Sequence, residues 1–270
     1  MTALAGLRIV SFALNVPGPV AVARLVAHGG AATKVEPPSG DPLSVYSRAW
    51  YDTLHAHVTV VTLDLKSDAG RMARDVLLGA ADVAIMSSRP SALARLGLGP
   101  ARLAERFPGL RTVSIVGDTA APEHPGHDVT YQAEAGLLHD RLPVTLLADL
   151  AGAERVVTTV LLALHSAPGA WLQVGLHDVL DGLRAPLAVG LTTPGGRFGG
   201  GDPAYGVYAA RDGHVAVAAL EPHFRARLYD GLCLPIDTPL ADMMASRACA
   251  DWAAFAREHD LPIAVVRPPT

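Results

Sequence analysis

The sequence predicts an α/β fold, in which a large domain built on a parallel sheet precedes a smaller α+β domain. Three observations support this prediction. Short apolar runs rich in branched residues alternate with helical patterns through the first part of the chain, as in βαβ units whose sheet is covered on both faces. A glycine-rich stretch over residues 192–202 then interrupts the pattern. Behind it, two alternating apolar runs indicate an antiparallel hairpin.

The first βαβ unit lies at the start of the chain. Residues 7–12 predict a buried strand, 20–28 a helix and 32–35 a second strand. Pro17-Gly18-Pro19 breaks the apolar run before the helix, and Gly29-Gly30 ends the helix. The unit takes about 35 residues, the size expected of one βαβ motif.

The alternation repeats through the large domain. Further strands are predicted at residues 58–63, 83–86 and 111–116, and further helices at 67–78, 92–96, 100–106, 148–165 and 174–187. Ser67 is the expected N-cap of its helix. Residues 117–145 contain three prolines and are expected to be irregular.

Two domains follow from this pattern. The expected bounds are 1–191 for the large domain, 192–202 for a glycine-rich linker and 203–270 for the small domain. In the small domain, residues 205–210 and 214–219 are predicted strands joined by a turn at Arg211-Asp212-Gly213. Helices are expected within residues 222–259 and a last strand at 263–266.

The composition excludes several classes of protein. Half of the residues are hydrophobic and the net charge is −4, so we expect a large core and no nucleic-acid partner. The two cysteines have no CxxC spacing, which argues against a disulfide framework and for a reducing, cytoplasmic setting. We find neither a signal peptide nor an apolar run of the roughly 18 residues that a membrane span needs.

No generic catalytic motif stands out, since the chain has no GxSxG elbow, P-loop or HExxH pattern. His124 and His127 lie three residues apart, but no third ligand accompanies them, so no metal site is predicted. His55 and His57 are expected at the solvated surface. The triple glycine at residues 199–201 is expected to be a hinge rather than a phosphate cradle.

Several segments, taken together and in order, resemble the class III coenzyme A transferase (CaiB/BaiF) family. They are the opening stretch at residues 5–41, TLDLKS at 62–67, RPSALARLGLG at 89–99, Gly126-His127-Asp128, LLADLAGA at 146–153 and the block at 200–224 that ends in LEPHF. The resemblance implies a Rossmann-like large domain that binds coenzyme A. It also implies an interlaced homodimer with its active sites between the two chains.

Within this family, the residue between Gly126 and Asp128 separates two types of reaction. The transferases usually carry an aromatic residue there, whereas the α-methylacyl-coenzyme A racemases carry Gly-His-Asp, as this chain does. The resemblance to the racemases implies that His127 and Asp149 form an acid/base pair and that Glu221 orients the imidazole. In the transferases, the position of Asp149 holds the nucleophile, so a coenzyme A transferase is the alternative.

Acid/base residues of this kind suit the inversion of a carbon next to a thioester. The α-hydrogen is weakly acidic, so inversion needs a base on one face of the carbon and an acid on the other. Histidine, with an ordinary pKa of about 6.5, can take either role. A carboxyl group can do so when burial raises its pKa. The sequence therefore favours a 2-methylacyl-thioester epimerase.

The resemblance implies further contacts with the substrate and its coenzyme A moiety. The residues are Lys34, Asp64, Leu65, Lys66, Arg89, Arg95, Gly126, Asp128 and Tyr131. Guanidinium groups suit phosphates because each can donate two parallel hydrogen bonds. No metal and no cofactor are expected, apart from the coenzyme A that belongs to the thioester substrate.

The chain departs from the family pattern in its basic residues and in its length. Pro37 stands where the racemases carry a basic residue, and no Lys or Arg occurs between Arg48 and Lys66. The part after the Asp149 helix is also compressed. Three explanations fit: a trimmed racemase of coenzyme A thioesters, an enzyme whose acyl chain arrives on a carrier protein, or a member that binds thioesters without turnover.

Overall fold

The computed structural model describes residues 2–138 and 140–268. The chain divides into two compact units, of which the first ends at Leu183 and the second begins at Arg184. The glycine-rich stretch at residues 192–202 lies within the second unit. Its Arg197–Gly201 segment forms one wide turn in which Gly200 has φ 98°, a conformation that glycine adopts without steric cost.

A six-stranded parallel sheet forms the centre of the first unit and confirms the predicted fold class. Its strands are β1 (Arg8–Ser11), β2 (Ala31–Glu36), β3 (Thr59–Thr62), β4 (Val83–Met86), β5 (Arg111–Val116) and β6 (Trp171–Gly175). They lie in the order β3-β2-β1-β4-β5-β6, so the winding of the chain reverses between β1 and β4. Open α/β sheets bind ligands at such a reversal, beyond the carboxyl ends of the strands.

Helices cover both faces of this sheet. They are α1 (Pro17–Ala27), α2 (Leu43–Tyr46), α3 (Arg48–His55), α4 (Asp68–Ala80), α5 (Pro90–Arg95), α6 (Pro100–Arg106), α7 (Asp128–Glu134), α8 (Leu147–Leu164) and α9 (Leu176–Leu183). Ile9 and Ile85 pack in one core with α1, α8 and α9, whereas Val10 and Met86 pack in a second core with α4, α5 and α6. Successive strand residues thus point into opposite layers.

The start of α1 differs from the sequence prediction. The helix begins at Pro17, because proline has no amide hydrogen to lose and is favoured in a first helical turn. The Pro-Gly-Pro run therefore begins the helix instead of preceding it. Gly18 allows the helix to approach the end of β1, since a Cβ there would lie 2.2 Å from the Cβ of Ala13.

Two predictions for the first unit were wrong. Residues 128–134 lie in the stretch expected to be irregular, yet they form α7. Residues 171–175 form β6, and the predicted helix at 174–187 is divided between the end of this strand and shorter helices. β6 forms by pairing with β5, for example Leu172 opposite Val113. This contact joins residues far apart in sequence, and local periodicity does not reveal it.

The second unit contains a three-stranded antiparallel sheet in the order β7-β8-β9. Its elements are α10 (Ala185–Ala188), β7 (Tyr205–Ala210), β8 (Gly213–Ala218), α11 (Pro222–Leu232), α12 (Ala241–Ala245), α13 (Cys249–Glu258) and β9 (Ile263–Val265). The predicted hairpin is confirmed, with Ala210 opposite Gly213. Trp252 lies in the core of this unit and donates its indole hydrogen to the Met244 carbonyl at 2.8 Å.

No helix in the described part of the chain is both long and apolar enough to cross a membrane. The homodimer stays a prediction.

Candidate active site

A cavity of about 340 Å³ opens at the carboxyl edge of the parallel sheet. Segments that follow β1, β4, β5 and β6 line it, together with the loop before α7 and the starts of α7 and α8. The cavity therefore lies at the reversal point of the sheet, where a ligand is expected. Its polar lining residues are Asn15, Ser87, Ser88, Arg89, His124, His127, Tyr131 and Asp149, and most of the others are aliphatic or proline.

Asp149 lies in the first turn of α8 and is only 8% exposed. Burial raises the pKa of its carboxyl group to about 7, with a further contribution from the nearby negative charge of Asp128. No described residue donates a hydrogen bond to its carboxyl oxygens. At neutral pH, Asp149 can therefore both release and accept a proton.

Asp128 is buried directly beside Asp149. Its Oδ1 accepts a hydrogen bond from the backbone amide of Asp149 at 3.0 Å, and its Oδ2 accepts one from Nε2 of Gln132 at 2.6 Å. Gln132 lies one turn further along α7 and is also buried. Asp128 thus connects the first turns of α7 and α8. The resemblance had assigned Asp128 to substrate contacts, and Gln132 had no signal in the sequence.

His127 lies directly before α7 and is one of the residues that line the cavity. Thr130 fixes its backbone, because Oγ1 of Thr130 accepts from the His127 amide at 2.9 Å and donates to the His127 carbonyl at 2.8 Å. The residue itself is exposed. The imidazole can therefore meet a ligand in the same cavity as Asp149.

Tyr131 explains why Gly126 precedes His127. The tyrosine is buried, and burial, followed by the charge of Asp149, raises the pKa of its hydroxyl. A Cβ at Gly126 would lie 2.3 Å from the Tyr131 ring, and one at Gly117 would lie 2.4 Å from its hydroxyl. Both glycines make room for this side chain, so the predicted Gly-His-Asp pattern has a packing role as well.

Lys34, predicted as a ligand contact, is paired inside the protein. Its ammonium group forms an ion pair with Asp41, lies 3.1 Å from Oε1 of Glu36 and lies 2.9 Å from Nε2 of His55. The expectation that His55 is a solvated surface residue was therefore wrong. Burial, above all, lowers the pKa of this half-buried histidine. Asp41 in turn accepts a hydrogen bond from the amide of Asn15 at 2.9 Å.

A second cavity, of about 820 Å³, lies beside α4, α5 and α6, and we call it the basic groove. Its lining includes six basic residues and two acidic ones: Lys66, Arg71, Arg74, Arg95, Arg102 and Arg106, with Asp68 and Asp75. Leu65 also lines it. Lys66 and Arg95 form no ion pair with any described residue and are exposed, whereas Arg71 and Arg74 pair with neighbouring aspartates. Asp64 does not line the groove, and its Oδ1 accepts from the Lys66 amide at 3.0 Å.

Helix α5 joins the two cavities. Arg89, in the lining of the sheet-edge cavity, is the N-cap of α5, and Arg95, in the basic groove, is its last residue. At 1.5 Å per residue, the helix separates them by roughly 9 Å. Two of the predicted phosphate-binding arginines thus lie at opposite ends of one short helix.

Glu221 belongs to the second unit, where it is the exposed N-cap residue of α11. Its role in orienting the imidazole stays a prediction.

One group of side chains could hold a metal ion geometrically. Asp118, His177 and Asp178 offer ligand atoms within 4.8 Å of one another. The Asp178 carboxylate, however, already accepts the hydroxyl hydrogen of Thr119. Sequence reasoning missed this group because it took residues 174–187 as one helix. The predictions that no metal and no further cofactor are needed stay predictions.

The family profile and the most similar curated proteins agree in the family that they indicate. The profile of CoA-transferase family III matches residues 4–270. The probable fatty acyl-CoA transferase Rv3272 of Mycobacterium tuberculosis is 29% identical over 210 residues, which cover 67% of this chain and 52% of that protein. The cinnamoyl-CoA:phenyllactate CoA-transferase of Clostridium sporogenes is 31% identical over 140 residues, 46% of this chain and 34% of that protein. The chain thus spans about half the length of Rv3272 and about a third of the length of the Clostridium sporogenes transferase.

Solved structures agree in fold. A crystal structure of Rv3272 superposes with a TM-score of 0.84 at 23% identity, covering 98% of this chain and 85% of that one. A CAIB/BAIF family protein from Brucella suis superposes with a TM-score of 0.79 at 20% identity, covering 99% and 84%.

Proposed function

Since the chain belongs to CoA-transferase family III, we propose that it acts on acyl-coenzyme A thioesters and epimerises 2-methylacyl thioesters by 1,1-proton transfer. The observation that carries this proposal is the pairing of His127 and Asp149 in the lining of one cavity. Burial brings the pKa of Asp149 to about 7, where a carboxyl group serves equally as acid and as base.

The reaction needs only these two groups and no redox partner. One of them removes the α-hydrogen as a proton, which breaks the C–H bond and leaves an enolate. The other delivers a proton to the opposite face, which forms the new C–H bond and inverts the carbon. A turnover in the reverse direction restores both groups, and proton exchange with water restores them when the same epimer reacts again. Tyr131 and Asn15, both in the cavity lining, are the hydrogen-bond donors that we propose for the enolate oxygen.

The basic groove supports a substrate that carries phosphates. Lys66 and Arg95 have no carboxylate partner among the described side chains, so an incoming phosphate would not have to displace one. We propose that the nucleotide of coenzyme A lies in this groove and that its thioester reaches the sheet-edge cavity past Arg89. An acyl chain held by a carrier protein would need fewer of these contacts, so it remains a variant of the proposal.

The names of the relatives favour a second candidate, a coenzyme A transferase. In that reaction the carboxylate of Asp149 would attack the thioester carbonyl, the C–S bond would break, and coenzyme A would leave as the thiolate. The acyl group would then be held on Asp149 as an anhydride until an acceptor attacks. This step requires the ionised form of Asp149, which the raised pKa makes scarcer below pH 7.

Proton exchange separates the two candidates. We would incubate a 2-methylacyl-coenzyme A of defined configuration in deuterated water with the wild type and with His127→Ala, Asp149→Asn and, as a control, His57→Ala, which changes an exposed histidine outside the cavity lining. We expect deuterium at the α-carbon and loss of configuration, reduced about 100-fold or more in the first two variants only.

A different result would redirect the assignment. Acyl transfer to a second thiol without α-exchange, together with trapping of the Asp149 acyl group by hydroxylamine, would identify the transferase. Binding without either reaction would leave a thioester-binding protein.

A further inference from the structure

Two buried carboxyl groups, those of Asp128 and Asp149, lie between the first turns of α7 and α8. Asp128 is 5% exposed and Asp149 is 8% exposed, and the amide of Asp149 donates to Oδ1 of Asp128. Two neighbouring carboxylates away from water repel each other, so the pair retains one proton to a higher pH than either group would alone. The question is which of the two aspartates holds that proton.

Hydrogen bonds distinguish the two groups. Asp128 accepts from the Asp149 amide and from the Gln132 side chain, one bond on each carboxylate oxygen. N–H donors of this kind stabilise the charged form of a carboxyl group. Asp149 receives no such donor from the described side chains or backbone.

We propose that Gln132 is a positioning residue that assigns the shared proton to Asp149. By donating to Oδ2 of Asp128, it keeps Asp128 ionised, and the charge of Asp128 then keeps Asp149 protonated. This inference rests on the proposed function and adds to it which residue is the acid, and which the base, when the substrate binds. Below pH 7, where Asp149 is mostly protonated, the resting enzyme carries its acid at Asp149, so His127 removes the first α-proton and Asp149 supplies the new one.

The other groups near Asp149 do not replace this assignment. α1 packs against α8 with uncharged buried residues and one ion pair, in which Arg24 holds Glu154, five residues beyond Asp149 along α8. From α9, the Asp178 carboxylate is bonded to Thr119. The remaining titratable or charged groups of the cavity lining are Arg89, His124, His127 and Tyr131. Of all these, the charge that acts on the pKa of Asp149 is that of Asp128.

The test reads the two carboxyl groups directly, by NMR of the full chain labelled with ¹³C at the aspartate carboxyl carbons. Asp149→Asn and Asp128→Asn identify the two signals. In the wild type we expect the Asp149 signal to titrate near pH 7. In Gln132→Met, which keeps the volume but removes the donor to Oδ2 of Asp128, the midpoint of Asp149 should fall. Gln173→Met, at the exposed position of β6, is the matched control.

Asp128→Asn gives a second, milder test, because the asparagine oxygen can still accept the Asp149 amide. It should lower the Asp149 midpoint by about one pH unit or more, and it should move the pH profile of α-proton exchange in the same direction. An Asp149 midpoint near 4 in the wild type, or an unchanged Asp149 midpoint in either variant, would overturn the proposal. Because NMR needs no substrate, failure of the epimerase assignment would leave this result intact and distinguishable.

Discussion

Lys34 carries a buried positive charge on β2, the strand next to β1. Its side chain is 2% exposed and its ion-pair partner Asp41 is fully buried. Asp41 in turn holds the backbone of Asn15, whose φ of 70° is in the left-handed region, and Asn15 lines the cavity. This lysine therefore organises the loop after β1 from inside the protein, whereas the resemblance had suggested a contact with ligand.

Replacing Lys34 should lower the stability of the folded protein. Lys34→Met leaves Asp41 and Glu36 buried without a cation, so we expect the free energy of unfolding to fall by about 3–5 kcal/mol. Chemical denaturation followed by circular dichroism would measure it. Lys66→Met, at an exposed position without an ion pair, is the control and should change stability little. Equal losses in the two variants would contradict a buried role for Lys34.

Asp149 should make stability depend on pH in the opposite sense to an ordinary ion-paired aspartate. Its pKa is raised from 3.8 to about 7 in the folded protein, so folding binds a proton between these values and the stabilisation is lost as pH rises through 7. At pH 8 the free energy of unfolding of Asp149→Asn should therefore exceed that of the wild type, by on the order of 4 kcal/mol at most. Denaturant titrations at pH 5 and pH 8 would measure the difference, which should shrink at pH 5 to about 1.6 kcal/mol, because pH 5 lies about one unit above the unfolded pKa of 3.8.

Site residues that lie in a local sequence pattern were predictable, whereas those that act through contacts with residues distant in sequence were not. His127 and Asp149 could be predicted as a candidate acid/base pair because each lies in a short pattern that a family shares. Asn15 and Gln132 act through contacts with Asp41 and Asp128, which give no signal in a single sequence. Lys34 shows the same limit, since its residue type indicated charge but not that two carboxylates and a histidine surround it.

At the scale of elements, strands with a continuous apolar run were predictable, and elements fixed by distant partners were not. β4 and β5 have the bounds that the sequence indicated, because buried parallel strands require apolar side chains on both faces. α7 is only seven residues long and begins at a cap that Thr130 completes. β6 has a partly exposed pattern and depends on β5.

The start of α7 offers a test of the packing around His127. Gly126→Ala would place a methyl group 2.3 Å from the Tyr131 ring, so the ring or the loop must move. We expect α-proton exchange to fall at least about tenfold, with a smaller loss of thermal stability. Gly109→Ala is the matched control, because a Cβ there meets no atom within 4 Å. Normal exchange in Gly126→Ala would show that the position of Tyr131 is unimportant.

At the scale of the whole molecule, the chain forms two units with separate cores. The predicted acid/base pair lies in the first unit, and Glu221 lies in the second. The sequence indicated both units through the change from parallel to antiparallel strand patterns. No comparable sequence pattern marks the boundary between Leu183 and Arg184, because α9 and α10 follow each other without a glycine-rich break.

Glu221 tests whether the second unit contributes to the reaction. If its carboxylate orients the imidazole of His127, Glu221→Gln should reduce α-proton exchange about 10- to 100-fold and leave unfolding unchanged, because Glu221 is exposed. Glu258→Gln, another exposed glutamate of this unit, is the control. Unchanged exchange in Glu221→Gln would remove this residue from the active site.

Helix α5 has a consequence for the length of the substrate. Arg89 and Arg95 lie at its two ends, and their backbones are separated by roughly 9 Å along the helix axis, so a molecule held at both arginines must extend along this helix. Acyl groups on a short synthetic thiol would reach the sheet-edge cavity and leave the groove empty, whereas a thioester on a long flexible arm could occupy both places at once. The helix would thus distinguish thioesters by the length of the group that carries the acyl chain, and not by the acyl chain alone.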